Sequence, residues 1–167
     1  MPCSCQLPIP SYPDTVEWGP LFWPILHGLA ERAGNLRDPF AQNDEQTEWP
    51  RFLLAVADVL PCPNCRQHYL KWIEDNPFAP FKKLPYSQIR EWIRLWLFNL
   101  HNNINDRNGK PLFAYEDLTP TYRDFDFFHG FHKLNPPLKR AVDLAGIGYL
   151  KYQAWVLSFR KLESYIV

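Results

Sequence analysis

The sequence predicts an all-α fold, a four-helix bundle with an additional helical extension at its C-terminal end. Along several segments, apolar residues recur at intervals of three and four, which is the spacing of one helix face. No segment shows the alternation of apolar and polar residues expected of a half-buried strand. Clusters of Pro, Gly and Asn separate the periodic segments. A chain of 167 residues can form one compact domain with an arm or extension.

The first helix is predicted within residues 16–33, regular from about residue 20 onward. Pro24 indicates that the regular helix begins near residues 21–22 or is kinked there, and Gly34 and Asn35 end it. Its apolar face consists of Trp18, Phe22, Ile25, Leu26 and Leu29. Residues 35–48 are polar and are predicted to form a loop. A second helix is then predicted over residues 49–60, starting close to Pro50 and ending at Pro61.

The third helix is predicted to start directly after Cys62, with Pro63 in its first position, and to run to about Asp75. The fourth has the clearest pattern, with Ser87 as its N-cap. Its apolar stripe consists of Ile89, Ile93, Trp96, Leu100 and Ile104. Residues 115–134 are predicted to be an aromatic-rich loop, and the chain from Asn135 onward to be mostly helical. We therefore divide the chain into a flexible arm (1–14), a bundle domain (15–114) and a C-terminal extension (115–167).

The composition argues against several classes of partner. Eighteen basic and eighteen acidic residues cancel, so no excess charge attracts the protein to nucleic acid or to an anionic membrane surface. No run of about eighteen uncharged apolar residues predicts a membrane span. The first residues lack the continuous apolar core of a signal peptide, so we do not expect secretion by that route.

The four cysteines form two close pairs, Cys3 with Cys5 in the Pro-rich arm and Cys62 with Cys65 in the bundle. Cys62 precedes Pro63 and so lies near a helix N-cap, where free amides and the helix dipole favour a thiolate. That position favours thiol–disulfide chemistry. A zinc site is the alternative, with Cys62, Cys65, His68 and one residue of the arm as ligands, although a second ligand pair is missing from the bundle. A purely structural disulfide would join residues that are already adjacent, and would stabilise little.

Two further motifs flank the CxxC motif. Trp23 and His27 lie four residues apart on the first helix, and His101, Asn102 and Asn105 lie on the last turns of the fourth. Taken singly, each has a plain structural interpretation: Trp23 and His27 as core residues, and the two asparagines as residues of a helix C-terminus.

Together, in this order, the motifs resemble the Erv/ALR family of flavin-linked sulfhydryl oxidases. The family pattern is approximately W-x-x-L-H, then C-x-x-C, then H-N-x-V-N followed by K-P. The chain has WPILH at 23–27, CPNC at 62–65, HNNIN at 101–105, and Lys110-Pro111, with Ile104 in place of the valine. The resemblance covers roughly residues 16–125.

The resemblance implies a helical bundle that wraps FAD, with the CxxC disulfide against the flavin. It implies that Cys65 is the flavin-proximal thiol and Cys62 the interchange thiol, and that Cys3 and Cys5 act as a shuttle pair. The cofactor-binding residues that it implies are Gly19, Trp23, His27, His68, Tyr69, His101, Asn102, Ile104, Asn105, Lys110 and Tyr122; no metal is expected. Electrons would pass from protein dithiols through the CxC and CxxC pairs to FAD and then to molecular oxygen, giving hydrogen peroxide. The alternative is a non-enzymatic, zinc-bound or helical interaction module with structural cysteines.

The chain departs from the family pattern in one respect. Members usually carry a further disulfide, of C-x16-C spacing, that clamps the third and fourth helices, but here no cysteine follows Cys65. Packing of Trp72, Trp92 and Trp96 is a candidate substitute. The departure looks more like members from large cytoplasmic DNA viruses, for which host-cell cytoplasm or virion is the expected location; otherwise the mitochondrial intermembrane space is expected. The resemblance also implies a homodimer through the first helices.

Overall fold

The computed structural model describes residues 10–166, and within them every regular element is helical. The seven α-helices of this part are α1 (Thr15–Arg32), α2 (Pro39–Val59), α3 (Pro63–Asp75), α4 (Ile89–Arg107), α5 (Leu118–Tyr122), α6 (Phe127–Asp143) and α7 (Tyr149–Ile166). Short 3-10 turns lie at Phe81–Lys83, Tyr86–Gln88 and Tyr115–Asp117. The predicted all-α class is confirmed. None of the helices in residues 10–166 is long and apolar enough to cross a membrane.

Helix α1 begins earlier than its prolines suggested. Asp14 caps it by accepting a hydrogen bond of 2.9 Å from the Glu17 amide, and the helix then continues through Pro20 and Pro24. Each internal proline lacks the amide that would donate one turn back, but the surrounding packing keeps the segment helical. The predicted start near residues 21–22 was therefore wrong, and the alternative of a kink there stays a prediction.

Helix α2 begins ten residues before its predicted start, and the predicted loop over 35–48 was wrong for all but its first few residues. Asp38 caps the helix through the Ala41 amide at 2.8 Å, with Pro39 in the first turn. The first half escaped notice because its buried positions are acidic: Glu45 and Glu48 are 1% and 5% exposed. An apolar pattern cannot reveal a helix whose core face carries carboxylates.

Those two carboxylates are well partnered, as buried charges must be. Glu45 accepts hydrogen bonds from the Gly34 amide at 3.1 Å, from Trp49 Nε1 at 3.3 Å, and from the Tyr86 hydroxyl. Glu48 accepts from the Ser158 hydroxyl and pairs with Lys161 Nζ at 3.1 Å. The second set of contacts ties α2 to α7.

Helices α3 and α4 follow the sequence pattern more closely. The bounds of α3 are as predicted, Pro63 to Asp75. Helix α4 starts at Ile89 behind a 3-10 turn that contains Ser87, and Gln88 occupies the cap position without a side-chain hydrogen bond. The prediction of Ser87 as N-cap was wrong.

An aromatic cluster joins α3 to α4. The Trp96 ring lies 6.2 Å from Trp72 and 6.4 Å from Trp92, centroid to centroid, and Phe78 approaches it to 5.3 Å. Trp96 Nε1 also donates to the Asn76 carbonyl at 3.0 Å, at the end of α3. These contacts occupy the α3–α4 junction.

The C-terminal extension packs into the same core as the other helices. Helix α6 lies along α1, and α7 lies along α2. Trp155 and Phe159 of α7 are fully buried, and the Trp155 ring lies 5.5 Å from Phe22 and 6.4 Å from Phe52. The predicted loop over 115–134 was wrong for most of its length, since α5 spans Leu118–Tyr122 and α6 begins at Phe127.

Candidate active site

Residues of α1 and of α3 contact the last turns of α4. The α1 motif reaches α4 through Trp23, whose ring lies flat on His101 at a centroid distance of 3.9 Å and an angle of 6°. His27 contacts the same residue, with its Nε2 3.1 Å from His101 Nδ1. Helix α3, which begins just after Cys62, contacts α4 six residues beyond His101, where His68 Nε2 lies 2.8 Å from Arg107 Nη2. Helix α4 therefore contacts both α1 and α3.

Trp23, His27, His101 and Tyr122 form one stacked group, which we call the ring cluster. Tyr122, on the short helix α5, stacks on His27 at 4.7 Å. His27 is 2% exposed and Tyr122 is 8% exposed, whereas Trp23 and His101 are half-buried and form the accessible part of the cluster. At 3.9 Å, Trp23 and His101 are in contact, so a further flat ring would bind at their edges or outer faces.

Burial keeps both histidines of the ring cluster neutral. It lowers the pKa of His27 to about 3, with the neighbouring His101 as a second cause. It also lowers the pKa of His101 to about 4, with the charge of Lys110 as a second cause. Between two neutral imidazoles, one ring nitrogen donates and the other accepts, so the contact is a single hydrogen bond. Burial raises the pKa of Tyr122, so its hydroxyl also stays neutral.

Cys62 caps α3 and forms a disulfide with Cys65. Its Sγ accepts a hydrogen bond of 3.1 Å from the Cys65 amide, and the Cα atoms of the pair lie 5.1 Å apart. Both cysteines are half-buried and pack against the core. When the disulfide opens, the same amide and the helix dipole stabilise a thiolate on Cys62.

Two of the proposed cofactor residues on α3 have different environments. The Tyr69 hydroxyl donates to the Leu53 carbonyl at 2.7 Å, its ring packs on Trp96 at 6.1 Å, and burial raises its pKa well above the usual value. Tyr69 thus ties α3 to α2 from inside the core. His68 is exposed and contacts Arg107.

Asn102 holds the segment that follows α4. Its side chain donates to the Phe113 carbonyl at 2.9 Å and accepts from the Phe113 amide at 2.8 Å. Phe113 in turn packs on Tyr122 at 5.8 Å. Asn102 therefore supports the ring cluster through this segment.

The remaining proposed residues border the same region. The Asn105 carbonyl accepts from the Lys110 amide at 2.8 Å, which folds the chain back after the helix and leaves Lys110 exposed. Ile104 is half-buried against the core. Gly19, on α1, is half-buried, and a Cβ atom there would meet nothing within 4 Å. Cys3 and Cys5 lie outside the described residues.

Sequence reasoning missed two residues beside the disulfide. Arg66, next to Cys65, donates from Nη2 to the Leu60 carbonyl at 3.1 Å, and Tyr12 donates to the Pro61 carbonyl at 2.8 Å. Nothing local in the sequence signals either contact. Within residues 10–166, no group of three or more His, Cys, Asp or Glu side chains is arranged to hold a metal ion.

Comparison with known proteins gives the decisive observation, because the family model for the Erv1/Alr family matches residues 21–123. The chain belongs to the Erv1/Alr family. The match includes the ring cluster and the CxxC disulfide, and it ends before α6. No solved structure matches the chain.

Relatives of the chain come from fungi and from large DNA viruses. It is 32% identical over 104 residues to the mitochondrial FAD-linked sulfhydryl oxidase erv1 of Schizosaccharomyces pombe, covering 62% of this chain and 52% of the relative. It is 26% identical over 107 residues to the FAD-linked sulfhydryl oxidase of African swine fever virus, covering 64% and 81%. It is 30% identical over 110 residues to the putative FAD-linked sulfhydryl oxidase 096R of Invertebrate iridescent virus 3, covering 66% and 68%. The chain thus spans about half the length of the fission-yeast relative.

The side chains of the site carry chemical groups of the kinds that FAD requires. FAD has two flat ring systems and a diphosphate, and the site offers the rings of Trp23 and His101, the amide of Asn105 and the exposed cation of Lys110. Aromatic faces, amide groups and a positive charge are the chemical complements of those parts of the cofactor.

Proposed function

We propose that this chain is a FAD-dependent thiol oxidase that forms disulfide bonds in protein substrates. The observation that carries the proposal is a CxxC disulfide at the start of α3, a helix that contacts α4, while His101 of α4 belongs to the ring cluster. Three relatives with names of FAD-linked sulfhydryl oxidases support it.

In this proposal, incoming thiols attack the Sγ atom of Cys62. A substrate thiolate attacks Cys62 Sγ, the Cys62–Cys65 bond breaks, and Cys65 leaves as a thiolate. The second substrate thiolate then attacks the mixed disulfide and releases Cys62 as a thiolate. The Cys65 amide, which lies 3.1 Å from Cys62 Sγ, stabilises the charge of that leaving group.

When bound, FAD would supply the two-electron redox chemistry that reoxidises the Cys62–Cys65 dithiol, with molecular oxygen reduced to hydrogen peroxide. Because His27 and His101 are neutral and share one hydrogen bond, each keeps one ring nitrogen for another partner, one as a donor and the other as an acceptor. Lys110 supplies the positive charge for a phosphate. Residues proposed to line the cofactor are Gly19, Trp23, His27, His68, Tyr69, His101, Asn102, Ile104, Asn105, Lys110 and Tyr122. For Tyr69 and Asn102, the contacts above support a positioning role.

We also propose that Cys3 and Cys5 collect electrons from protein dithiols and transfer them to Cys62–Cys65. We expect the protein to be a homodimer. Because α6 and α7 cover much of α1 and α2, the dimer contact would use faces that these helices leave open. The host-cell cytoplasm or virion is the proposed location of a viral member, and the mitochondrial intermembrane space that of an organellar one.

The absorbance spectrum of the purified protein tests the proposal most directly. We expect a yellow protein with a flavin band that bleaches when dithiothreitol is added without oxygen. In air, the protein should consume oxygen with dithiothreitol as substrate. Cys65→Ser should abolish that consumption and retain the flavin band. A colourless protein with one equivalent of zinc would contradict the proposal and favour the structural module.

A further inference from the structure

A cavity lies between the end of α1, the start of α4 and the end of α7. Its volume is about 510 Å³, within the range of roughly 300–1,000 Å³ that is common for small-molecule sites. Two carboxylates line it, those of Glu31 and Asp124. The cations among its lining side chains are more numerous, and all are arginines: Arg32, Arg90, Arg94 and Arg123. We call this space the arginine cavity.

A layer of polar contacts lies between the arginine cavity and the ring cluster. Glu31, one helical turn after His27, accepts hydrogen bonds from Arg94 Nε at 2.7 Å and from the Thr119 hydroxyl at 2.8 Å. Arg94 lies seven residues before His101, or about 10 Å along α4. The helices α1, α4 and α5 that carry the ring cluster thus carry the polar layer further along the bundle. The arginine cavity lies beyond that layer.

Arg32 and Arg90 are held in place by hydrogen bonds that leave their charges unbalanced. Arg32 donates to two backbone carbonyls, at 2.7 and 2.9 Å. Arg90 donates to the Ala33 carbonyl at 2.7 Å and to the side-chain oxygen of Asn35. All these acceptors are neutral, and within residues 10–166 neither guanidinium forms an ion pair. A guanidinium that is fixed in position but not neutralised is preorganised for an anion.

Arg123 supplies a third positive charge. It is exposed, and its guanidinium has no hydrogen bond or ion pair with any residue that the structure describes. Asp124 can balance one of the three charges, whereas Arg94 is already paired with Glu31. Capping of the ends of helices explains the contacts of Arg32, but it does not explain Arg123. Because α1 and α7 both direct the negative ends of their dipoles here, the positive potential comes mainly from the arginines.

We infer that the arginine cavity binds a small molecule that carries a phosphate group next to a ring. Three unbalanced guanidinium groups from three parts of the chain line one space, and a phosphate offers three oxygens to them. A carboxylate is served by a single arginine fork. The volume exceeds what inorganic phosphate would fill, and Tyr165 and Ile166 of α7 border the rest of the space with a ring and an aliphatic side chain. The balanced charge of the whole chain argues against nucleic acid as the ligand.

Calorimetric titration of the full-length purified protein tests this inference. The probe is phenyl phosphate, and inorganic phosphate and benzoate serve as comparisons, because they lack the ring and the phosphate, respectively. In salt of about 0.15 M, which screens exposed charges, we expect one phenyl phosphate per chain, bound more tightly than either comparison. The absence of saturable binding with a Kd of about 1 mM or tighter would overturn the inference. Equal affinity for benzoate would overturn the choice of phosphate.

Arg123→Gln is the decisive variant, with Arg37→Gln as its matched control. Arg37 is also exposed and lies outside the arginine cavity. Loss of Arg123 removes a charge-assisted hydrogen bond to the phosphate, so Kd should rise roughly tenfold or more. Arg37→Gln should leave Kd nearly unchanged. Because the Arg123 guanidinium has no partner in the part of the chain that the structure describes, Arg123→Gln should keep the Tm of the unmodified protein. Equal Kd values for the two variants would refute the inference.

The flavin band separates this site from the proposed cofactor site. Arg123→Gln should keep the band and the oxidation of dithiothreitol, since Arg123 lies beyond the polar layer. Loss of the band in that variant, or loss of phenyl phosphate binding in Lys110→Gln, would place the phosphate in the cofactor site and overturn the inference. A colourless protein that still binds phenyl phosphate would contradict the proposed function alone, because the arginine cavity does not depend on it.

Discussion

Replacing Trp96 with alanine should cost more stability than any other single truncation at the α3–α4 junction. The side chain is 6% exposed and contacts Trp72, Phe78, Trp92 and Tyr69. Truncation of a buried tryptophan typically costs about 3–5 kcal/mol. The Asn76 carbonyl also loses its donor, for about 1 kcal/mol more. The sum of about 4–6 kcal/mol is a large part of the 5–15 kcal/mol that stabilises an ordinary domain.

Thermal and urea unfolding measure this effect. In a chain of this size, each kcal/mol shifts Tm by about 2–4 °C, so we expect a decrease of roughly 8–24 °C. Leu95→Ala is the matched control, because Leu95 is the neighbouring residue on the same helix and is 46% exposed. If Trp96→Ala destabilised the protein no more than Leu95→Ala, the aromatic cluster would not be what holds α3 to α4, and the idea that it substitutes for a covalent clamp would fail.

Two further predictions concern buried polar groups near the site. Tyr69→Phe should lower the free energy of unfolding by about 1–3 kcal/mol, because the Leu53 carbonyl is left without its donor; a loss no larger than that of Tyr149→Phe, at an exposed position, would contradict this. The second prediction concerns pH. The folded-state pKa of His27, about 3, lies below its ordinary value of 6.5, so its contribution to stability is full above pH 6.5 and decreases as pH falls toward 3. Between pH 7 and pH 5 the loss should be about 2 kcal/mol, and His27→Gln should show a correspondingly weaker pH dependence in urea unfolding, whereas an unchanged dependence would contradict the prediction.

Parts of the fold were predictable because their signals are local. Helix α3 begins at a proline directly after a capping residue, and both lie within a few positions of the sequence. The stripe of α4 is apolar at nearly every buried position, so its period was visible. Both α3 and α4 can therefore be predicted from their own residues, without information from the rest of the chain.

Other parts depend on partners that are remote in sequence. The buried positions of early α2 are carboxylates, and they are acceptable only because Tyr86 and Ser158 reach them from elsewhere. Helix α6 carried a visible signal, since Phe127, Phe131, Leu134 and Leu138 repeat at intervals of four, three and four. Its aromatic residues and two prolines favoured a loop and concealed that period.

The candidate site likewise combines features with local sequence signals and features that depend on residues remote in sequence. The three motifs predict which residue types are needed, but only the fold shows that the α1 and α4 motifs are in contact. His27 and His101 are 74 residues apart and share one hydrogen bond. Tyr12 and Arg66 carry no recognisable motif, and only the fold shows their hydrogen bonds to the Pro61 and Leu60 carbonyls, just before Cys62.

The C-terminal extension contributes to the core of the bundle. The family match ends at residue 123, before α6 begins, yet α7 supplies Trp155 and Phe159 to the centre of the bundle. Each buried aromatic side chain removes 150–250 Å² from water, worth about 4–6 kcal/mol as an upper bound at 25 cal/mol per Å². A bundle cut at residue 114 would expose Phe22 and Phe52 where Trp155 now covers them. The CxxC disulfide and the ring cluster therefore lie in the segment shared with the family, while the stability of that segment depends on helices outside the match.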